Sequence, residues 1–183
     1  GGAEFFAAAQ KAGDKWNYGS VGNGSVAHLG MELLKLNAGV FIVHVPYRGC
    51  SPALADAVSG QVPIFFNMIS NSLPHAKNGK VRLLAAASLQ RLPSQPQLPT
   101  IAEAGFPGFE APAWWALLAS AKTPPDIIKR MNEELNKTLS NPEVSKRLEA
   151  QGISIAGGSV ERAKTFIDGQ LDTWAKVVRE NGI

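Results

Sequence analysis

Trp16-Asn17-Tyr18-Gly19-Ser20-Val21-Gly22-Asn23-Gly24-Ser25, running on into Val26-Ala27-His28-Leu29, is the stretch that decides the fold. Trp16–Ser20 is short and aromatic and reads as a strand. Gly22-Asn23-Gly24 is a turn, and Ser25 is a helix cap. Val26, Leu29, Leu33 and Leu36 then recur at helical spacing until Asn37 and Gly39 stop the run. The unit is a strand, a glycine-rich turn and a helix N-terminus.

The same alternation continues downstream. Val40–Val45 is β-branched, aromatic and continuous, as in a sheet buried on both faces, and Pro46 ends it. Ser51-Pro52 predicts a helix with Ser51 as cap and Pro52 in first position, closed by Gly60. Val62–Phe66 reads as a third strand, Ser72–Lys77 as a short helix ending at Asn78-Gly79, and Val81–Ala87 as a fourth strand. Upstream, Glu4–Lys11 is a short helix pattern. Strand alternating with helix over residues 16–87 argues for an α/β fold with a largely parallel sheet.

Between Arg91 and Ala113 the chain changes character. Five prolines in that span (Pro93, Pro96, Pro99, Pro107 and Pro112) mark a stiff, extended connector, interrupted by a capping box at Thr100 and Glu103. A domain crossover is expected here. Trp114–Ala119 then reads as a fifth strand, with the Trp114-Trp115 pair expected in a core or, on the sharper reading, as a hinge-side ligand contact. Thr123-Pro124-Pro125-Asp126 opens a helix with Thr123 as cap and Ile127, Ile128, Met131, Leu135 and Leu139 as its buried stripe. Asn141 caps a further helix that ends at Gly152, Ile153–Ile155 is a short strand, and Ser159 caps the last helix.

Composition narrows the function classes. The 183 residues are 45% hydrophobic, enough for a core, which excludes a disordered chain. A net charge of +3 with no basic run disfavours nucleic acid as a partner. The longest uncharged stretch, residues 57–76, is broken by Gly60, Pro63, Asn67, Asn71 and Pro74 and does not read as a membrane span. Three histidines and the single Cys50 show no metal-ligand spacing, and no cofactor is expected. No signal peptide is visible at the start.

Three loops carry candidate chemistry. In Tyr18–Ser25 the glycines let amides turn toward one point, the helix adds its positive end, and the Ser20 and Ser25 hydroxyls are further donors, which suits a carboxylate or phosphate. A plain strand-to-helix turn capped by Ser25 explains the same residues. The stretch is neither a Walker loop, since no Lys follows, nor a good dinucleotide fingerprint. His44-Val45-Pro46-Tyr47-Arg48-Gly49 lies at a strand end, where Tyr47 can stack or donate and Arg48 can pair with an anion; a surface Arg and a half-buried Tyr are the plainer reading. His44 reads as a satisfied structural histidine. Asn67–Ser72 offers neutral donors and acceptors, or a helix cap by Ser70 or Asn71.

An enzyme is the rival reading: a small α/β hydrolase with Ser25 as nucleophile and His28 as base. It lacks a Gly-x-Ser-x-Gly elbow and an orienting acid, and His28, one helical turn from Ser25, is expected at the solvent or crevice rim. A ligand-sensing regulatory domain is the third reading, against which stands the lack of a DNA-binding helix-turn-helix.

Taken together the motifs resemble a known family. Asn17-Tyr18-Gly19-Ser20-x-Gly22-x-Gly24-Ser25, Val43-His44-Val45-Pro46-Tyr47-Arg48-Gly49, Gly60-Gln61-Val62, Leu98-Pro99-Thr100-Ile101-Ala102-Glu103-Ala104-Gly105 and Gly108-Phe109-Glu110 resemble the Bug family, the extracytoplasmic solute-binding proteins of tripartite tricarboxylate transporters. The similarity runs from about Phe5 to Ile183. It implies a periplasmic-binding-protein type II-like fold that closes on a small carboxylate between two lobes and presents it to membrane transporter subunits from the periplasm. It implies a ligand set of Ser20, Val21, Gly22, Asn23, Gly24, Ser25 and His28, with Tyr47, Arg48 and Asn67 lining the same cleft. Family members often carry an acid near Asn67, and its neutral replacement counts against a ligand bearing an amino group. Cys50 stands where small residues are usual and narrows the pocket. Family members are longer at the N-terminus by on the order of 100 residues. The resemblance therefore implies an N-terminally truncated chain: residues 3–111 a near-complete lobe two, and residues 112–183 the C-terminal part of lobe one, prone to domain swapping or self-association.

Overall fold

The computed structural model describes residues 2–183. Its contacts divide the chain into two units. One comprises Gly1–Ala113 with Val177–Ile183, the other Trp114–Lys176.

The first unit begins with α1 (Gly2–Ala12), followed by a 3₁₀ turn at Gly13–Lys15. Then come β1 (Asn17–Ser20), α2 (Val26–Ala38), β2 (Val43–Pro46), α3 (Cys50–Ser59), β3 (Ile64–Phe65) and α4 (Ile69–Lys77). The three strands form one parallel sheet in the order β2-β1-β3, so the strand that leads into the glycine turn lies in the middle. Tyr18 is opposite His44 on one side and Ile64 on the other. Side chains alternate across the sheet. Tyr18 and Ser20 share the face of His44, while a Cβ at Gly19 would meet Tyr47, Val62 and Phe65 at 3.3–3.5 Å on the other.

Local chemistry sets most helix ends. Ser25, in extended backbone, caps α2 by accepting from the His28 amide, and Gly39 closes it at φ 59°. Thr100 and Glu103 form the reciprocal capping box: the Thr100 amide donates to Glu103 Oε2 at 2.7 Å and the Glu103 amide to Thr100 Oγ1 at 3.1 Å. Arg91 pairs with the same carboxylate, and these bonds hold the Glu103 carboxyl down to about 2. α2 is buried beyond a single stripe. Ala27, His28, Leu29, Gly30, Met31, Glu32 and Leu34 are all buried, whereas Leu36 is exposed. Its first half is packed between the sheet and the connector, with Gly30 lying where a Cβ would stand 3.0 Å from Ala111 Cβ and 3.1 Å from Phe66 Cζ.

Several expected elements are shorter or absent. β2 starts only at Val43, because pairing begins where the Val43 amide reaches Trp16 O. Residues 81–87 make one parallel bridge, Ala86 to Thr100, and no strand. α3 begins at Cys50 with Gly49 as N-cap at φ 108°, so Ser51 does not cap it. α4 begins at Ile69 after Met68, and neither Ser70 nor Asn71 caps it.

The second unit holds α5 (Pro125–Leu139), α6 (Pro142–Ala150) and most of α7 (Val160–Asn181). Pro124 rather than Thr123 precedes α5, while Asn141 and Ser159 cap α6 and α7 as expected. Asn136 ties the segment before α7 to α5, accepting from the Gly158 amide at 2.7 Å and donating to Gly158 O at 2.9 Å. Residues 114–119 and 153–155 form no strand, since no ladder partner lies against them among the described residues. No residue of this unit is buried. Trp114, Trp115, Leu117 and Leu118 are exposed, as are Ile127, Met131 and Leu135 of the α5 stripe, and Trp114 packs edge-on against Phe166. The helical period reports a face that can bury apolar surface; burial itself requires an opposing layer.

Candidate functional site

All three parallel strands end at the same sheet edge, and their loops carry the candidate residues. In open α/β sheets ligands bind outside the carboxyl ends of the strands. The first two loops are tied together, the Tyr47 amide donating to Ser20 O at 3.0 Å and the Gly49 amide to Val21 O at 3.2 Å.

The glycine loop is held from within. Gly22 (φ 137°) and Gly24 (φ 73°) adopt backbone that disfavours a side chain. Ser25 Oγ donates to Gly22 O at 2.6 Å and accepts from the His28 amide at 3.2 Å. The Gly22 amide donates to Ser20 Oγ at 3.2 Å, and that oxygen lies 2.6 Å from His44 Nε2. Ser20 is fully buried. Both serine hydroxyls therefore shape the loop. The Leu29 amide is satisfied by Ser25 O, but those of Asn23, Val26 and Ala27 have no partner among the described residues.

His28 is not at the rim. It is 6% exposed, and its Nδ1 accepts from the Gly24 amide at 3.1 Å. A backbone amide can only donate, so the neutral ring carries its proton on Nε2. Its ring stacks on His44 with centroids 4.0 Å apart, and Tyr18 stacks on His44 at 4.9 Å. Tyr18 donates to Glu32 Oε1 at 2.7 Å, and Lys35 pairs with the same carboxylate at 2.8 Å. Burial lowers both histidines below the ordinary imidazole range, His44 to about 4 with help from His28. Lys35 also lowers His28, while Glu32 raises it. Burial and the Glu32 carboxylate push the Tyr18 phenol up.

Tyr47 is half-buried and donates to Asp56 Oδ2 at 2.7 Å; burial, then that carboxylate, raises it. Arg48 is exposed and makes no ion pair or hydrogen bond among the described residues. In the third loop Asn67 Nδ2 donates to Ser72 Oγ at 3.2 Å, and its Oδ1 accepts from Cys50 Sγ at 3.5 Å. Asn71 Nδ2 donates to the same sulfur at 3.3 Å. The thiol thus links the second and third loops. Sequence reasoning placed the loops but missed the stack beneath them, because only the β1–β2 register puts Tyr18, Ser20 and His44 on one face.

The Ser25 and His28 side chains do not form a nucleophile and base. The serine proton goes to a carbonyl and the imidazole acceptor is taken by the Gly24 amide. Among the described residues no cluster of His, Cys, Asp or Glu can hold a metal, and no helix is long and apolar enough to cross a membrane.

The profile of the tripartite tricarboxylate transporter family receptor matches residues 3–183. The chain belongs to this receptor family. Among its relatives, a UPF0065 protein from the tcbD-tcbE intergenic region of Pseudomonas sp. strain P51 is 37% identical over 174 residues, covering 94% of this chain and 52% of the relative. Protein BugT of Bordetella pertussis is 36% identical over 159 residues, 87% of this chain and 49% of BugT. Solved receptors of the same fold include the R. palustris protein Rpa4515 with adipate, with TM-score 0.89, 32% identity, and coverage of 99% of this chain and 60% of that one. MatC from Rhodopseudomonas palustris with bound malate has TM-score 0.77 and 30% identity, over 96% of this chain and 61% of that one. The fold is thus that of the periplasmic solute-binding proteins, and the family is one of receptors, not enzymes. This chain spans about half the length of BugT and the P51 relative, and about 60% of the two solved receptors.

Proposed function

We propose that the chain forms the carboxylate-holding part of an extracytoplasmic receptor, which takes a small dicarboxylate in the periplasm and hands it to membrane subunits of a tripartite transporter. The observation that carries this reading is the set of amides at Asn23, Val26 and Ala27, with Arg48 in the adjoining loop, none of which has a partner among the described residues. Amides at a helix N-terminus and a free guanidinium are complementary to carboxylate charge. Adipate and malate in the solved relatives support that ligand class. Tyr47 and Asn67 complete the rim in this reading, and Ser20, Gly22, Gly24, Ser25 and Val21 give the loop its shape. Residues 3–111 act as one lobe and residues 112–183 as part of the other; the exposed Trp115, Leu117 and Leu118 support self-association of this chain.

Isothermal titration with acetate, malate, adipate and citrate tests the reading, together with mass spectrometry of small molecules released from the purified protein. Arg48→Ala is expected to weaken a dicarboxylate about tenfold or more, the loss of one charge-assisted contact. Arg48→Ala and Ser25→Ala that bind as tightly as the parent would overturn the site.

A further inference from the structure

We propose that His28 is a positioning residue of the ligand loop: neutral, it pins the Gly24 amide from beneath, and protonated, it releases that amide and weakens carboxylate binding. The proposal rests on the loop being the ligand site.

The loop has two anchors under it. At one end the Gly22 amide donates to Ser20 Oγ, which His44 Nε2 holds at 2.6 Å. At the other the Gly24 amide donates to His28 Nδ1 at 3.1 Å. The unpartnered amides of Asn23, Val26 and Ala27 lie between and beside these anchors along the chain. Gly24 has φ 73°, and the turn around it is closed by the Ser25 amide and hydroxyl, which donate to Gly22 O at 3.3 and 2.6 Å. The imidazole is the partner of the Gly24 amide itself.

Protonation reverses the polarity of that tether. An imidazolium carries N–H on both nitrogens, so Nδ1 would face the Gly24 amide donor to donor. The groups around the ring make the neutral state the resting one. His44 of β2, whose cation burial also disfavours, stacks on it at 4.0 Å, and Tyr18 of β1 lies beyond. On its own helix Glu32 favours the cation, but that carboxylate already receives Tyr18 and Lys35, and the Lys35 ammonium opposes it. Acid therefore converts the ring only by breaking the bond that fixes the loop. If protonation weakens carboxylate binding, a bound carboxylate favours the neutral ring by the same factor, against the direct attraction between carboxylate and imidazolium.

Two measurements on the whole chain separate the inference from the site reading. In the first, the Gly24 amide and the His28 ring are followed by NMR from pH 8 to pH 5 without ligand. A Gly24 shift that titrates together with the His28 ring is expected; a Gly24 amide indifferent to that titration overturns the tether. In the second, adipate affinity is measured at pH 8 and pH 5 for the wild type, His28→Gln and His28→Leu. Ligand protonation is common to all three. The wild type should lose about five- to tenfold more affinity on acidification than His28→Gln, whose amide oxygen accepts without titrating, the scale of one hydrogen bond. His28→Leu should bind more weakly than His28→Gln at pH 8. Equal pH profiles in wild type and His28→Gln overturn the inference and leave the site standing. If the Gly24 amide follows the ring yet neither adipate nor malate binds at pH 8, the site reading fails, and the coupling to ligand fails with it.

Discussion

Replacing Gly30 by alanine sets two effects of known sign against each other. An alanine in mid-helix regains about 1 kcal/mol over glycine. At Gly30 the new methyl would stand 3.0 Å from Ala111 Cβ and 3.1 Å from Phe66 Cζ, well inside the 3.5–4.0 Å at which carbons attract. Phe66 can turn its ring. Ala111 has no rotamer, and its amide is fixed to Ala87 O at 3.0 Å, so backbone must move. Overpacking of this kind costs about 1–3 kcal/mol. The net expectation is a loss of about 1 kcal/mol, or about 2–4 °C in the midpoint for a chain of this length. Gly169 of α7 is the control, because a Cβ there meets nothing within 4 Å, and Gly169→Ala should stabilise by up to about 1 kcal/mol. Urea unfolding followed by circular dichroism reads both. Since Phe66 precedes Asn67, Gly30→Ala should also weaken carboxylate binding. Equal stabilisation by the two substitutions would refute the packing argument.

Two further outcomes follow from the buried polar cluster. Tyr18→Phe removes the hydroxyl that donates to Glu32 Oε1 and leaves a buried carboxylate with Lys35 alone; a loss of about 1–3 kcal/mol is expected in urea unfolding, and unchanged stability would count against the network. His28 and His44 both bind protons less readily when folded than the ordinary value of 6.5, His44 down to about 4. The unfolded chain therefore holds more protons in that window, so their contribution is intact above pH 6.5 and is lost as pH falls toward 4. After allowance for partial exposure we expect His44 to account for roughly 1–2 kcal/mol of acid destabilisation between pH 7.5 and 4.5. His44→Asn should shrink that loss, and an unaltered pH profile in the variant would contradict the assignment.

What could be read from the sequence was chemistry that completes itself within a few residues. Ser25, Asn141, Ser159 and the Thr100–Glu103 box close their bonds locally, and each lies where its spacing requires. The three strand-end loops were legible for the same reason, since Gly22 and Gly24 spell the first turn, Pro46 and Gly49 the second, and the Asn67, Ser70 and Asn71 side chains the third. Orientation was not. Spacing puts His28 one turn after Ser25 but cannot say that the ring turns inward onto His44, which depends on the register of a strand sixteen residues away. Strand propensity in residues 114–119 likewise says nothing of a partner, and a ladder exists only between two chains of atoms. Ser51 failed as a cap because α3 starts earlier, from Gly49 two residues before it, and Thr123 because Pro124 takes the cap position.

The central place of β1 bears on where this chain can change its length. Tyr18 is read by β2 and β3 at once, and Ser20 and Gly19 must fall on opposite faces. One residue gained or lost within Asn17–Ser20 would turn Tyr18 away from His44 and bring a side chain against Tyr47, Val62 and Phe65. Insertions should accordingly be rejected there and accepted in the exposed turns between Leu89 and Gln97. A reporter domain spliced into those turns leaves the ladder untouched, which makes them the place to graft one.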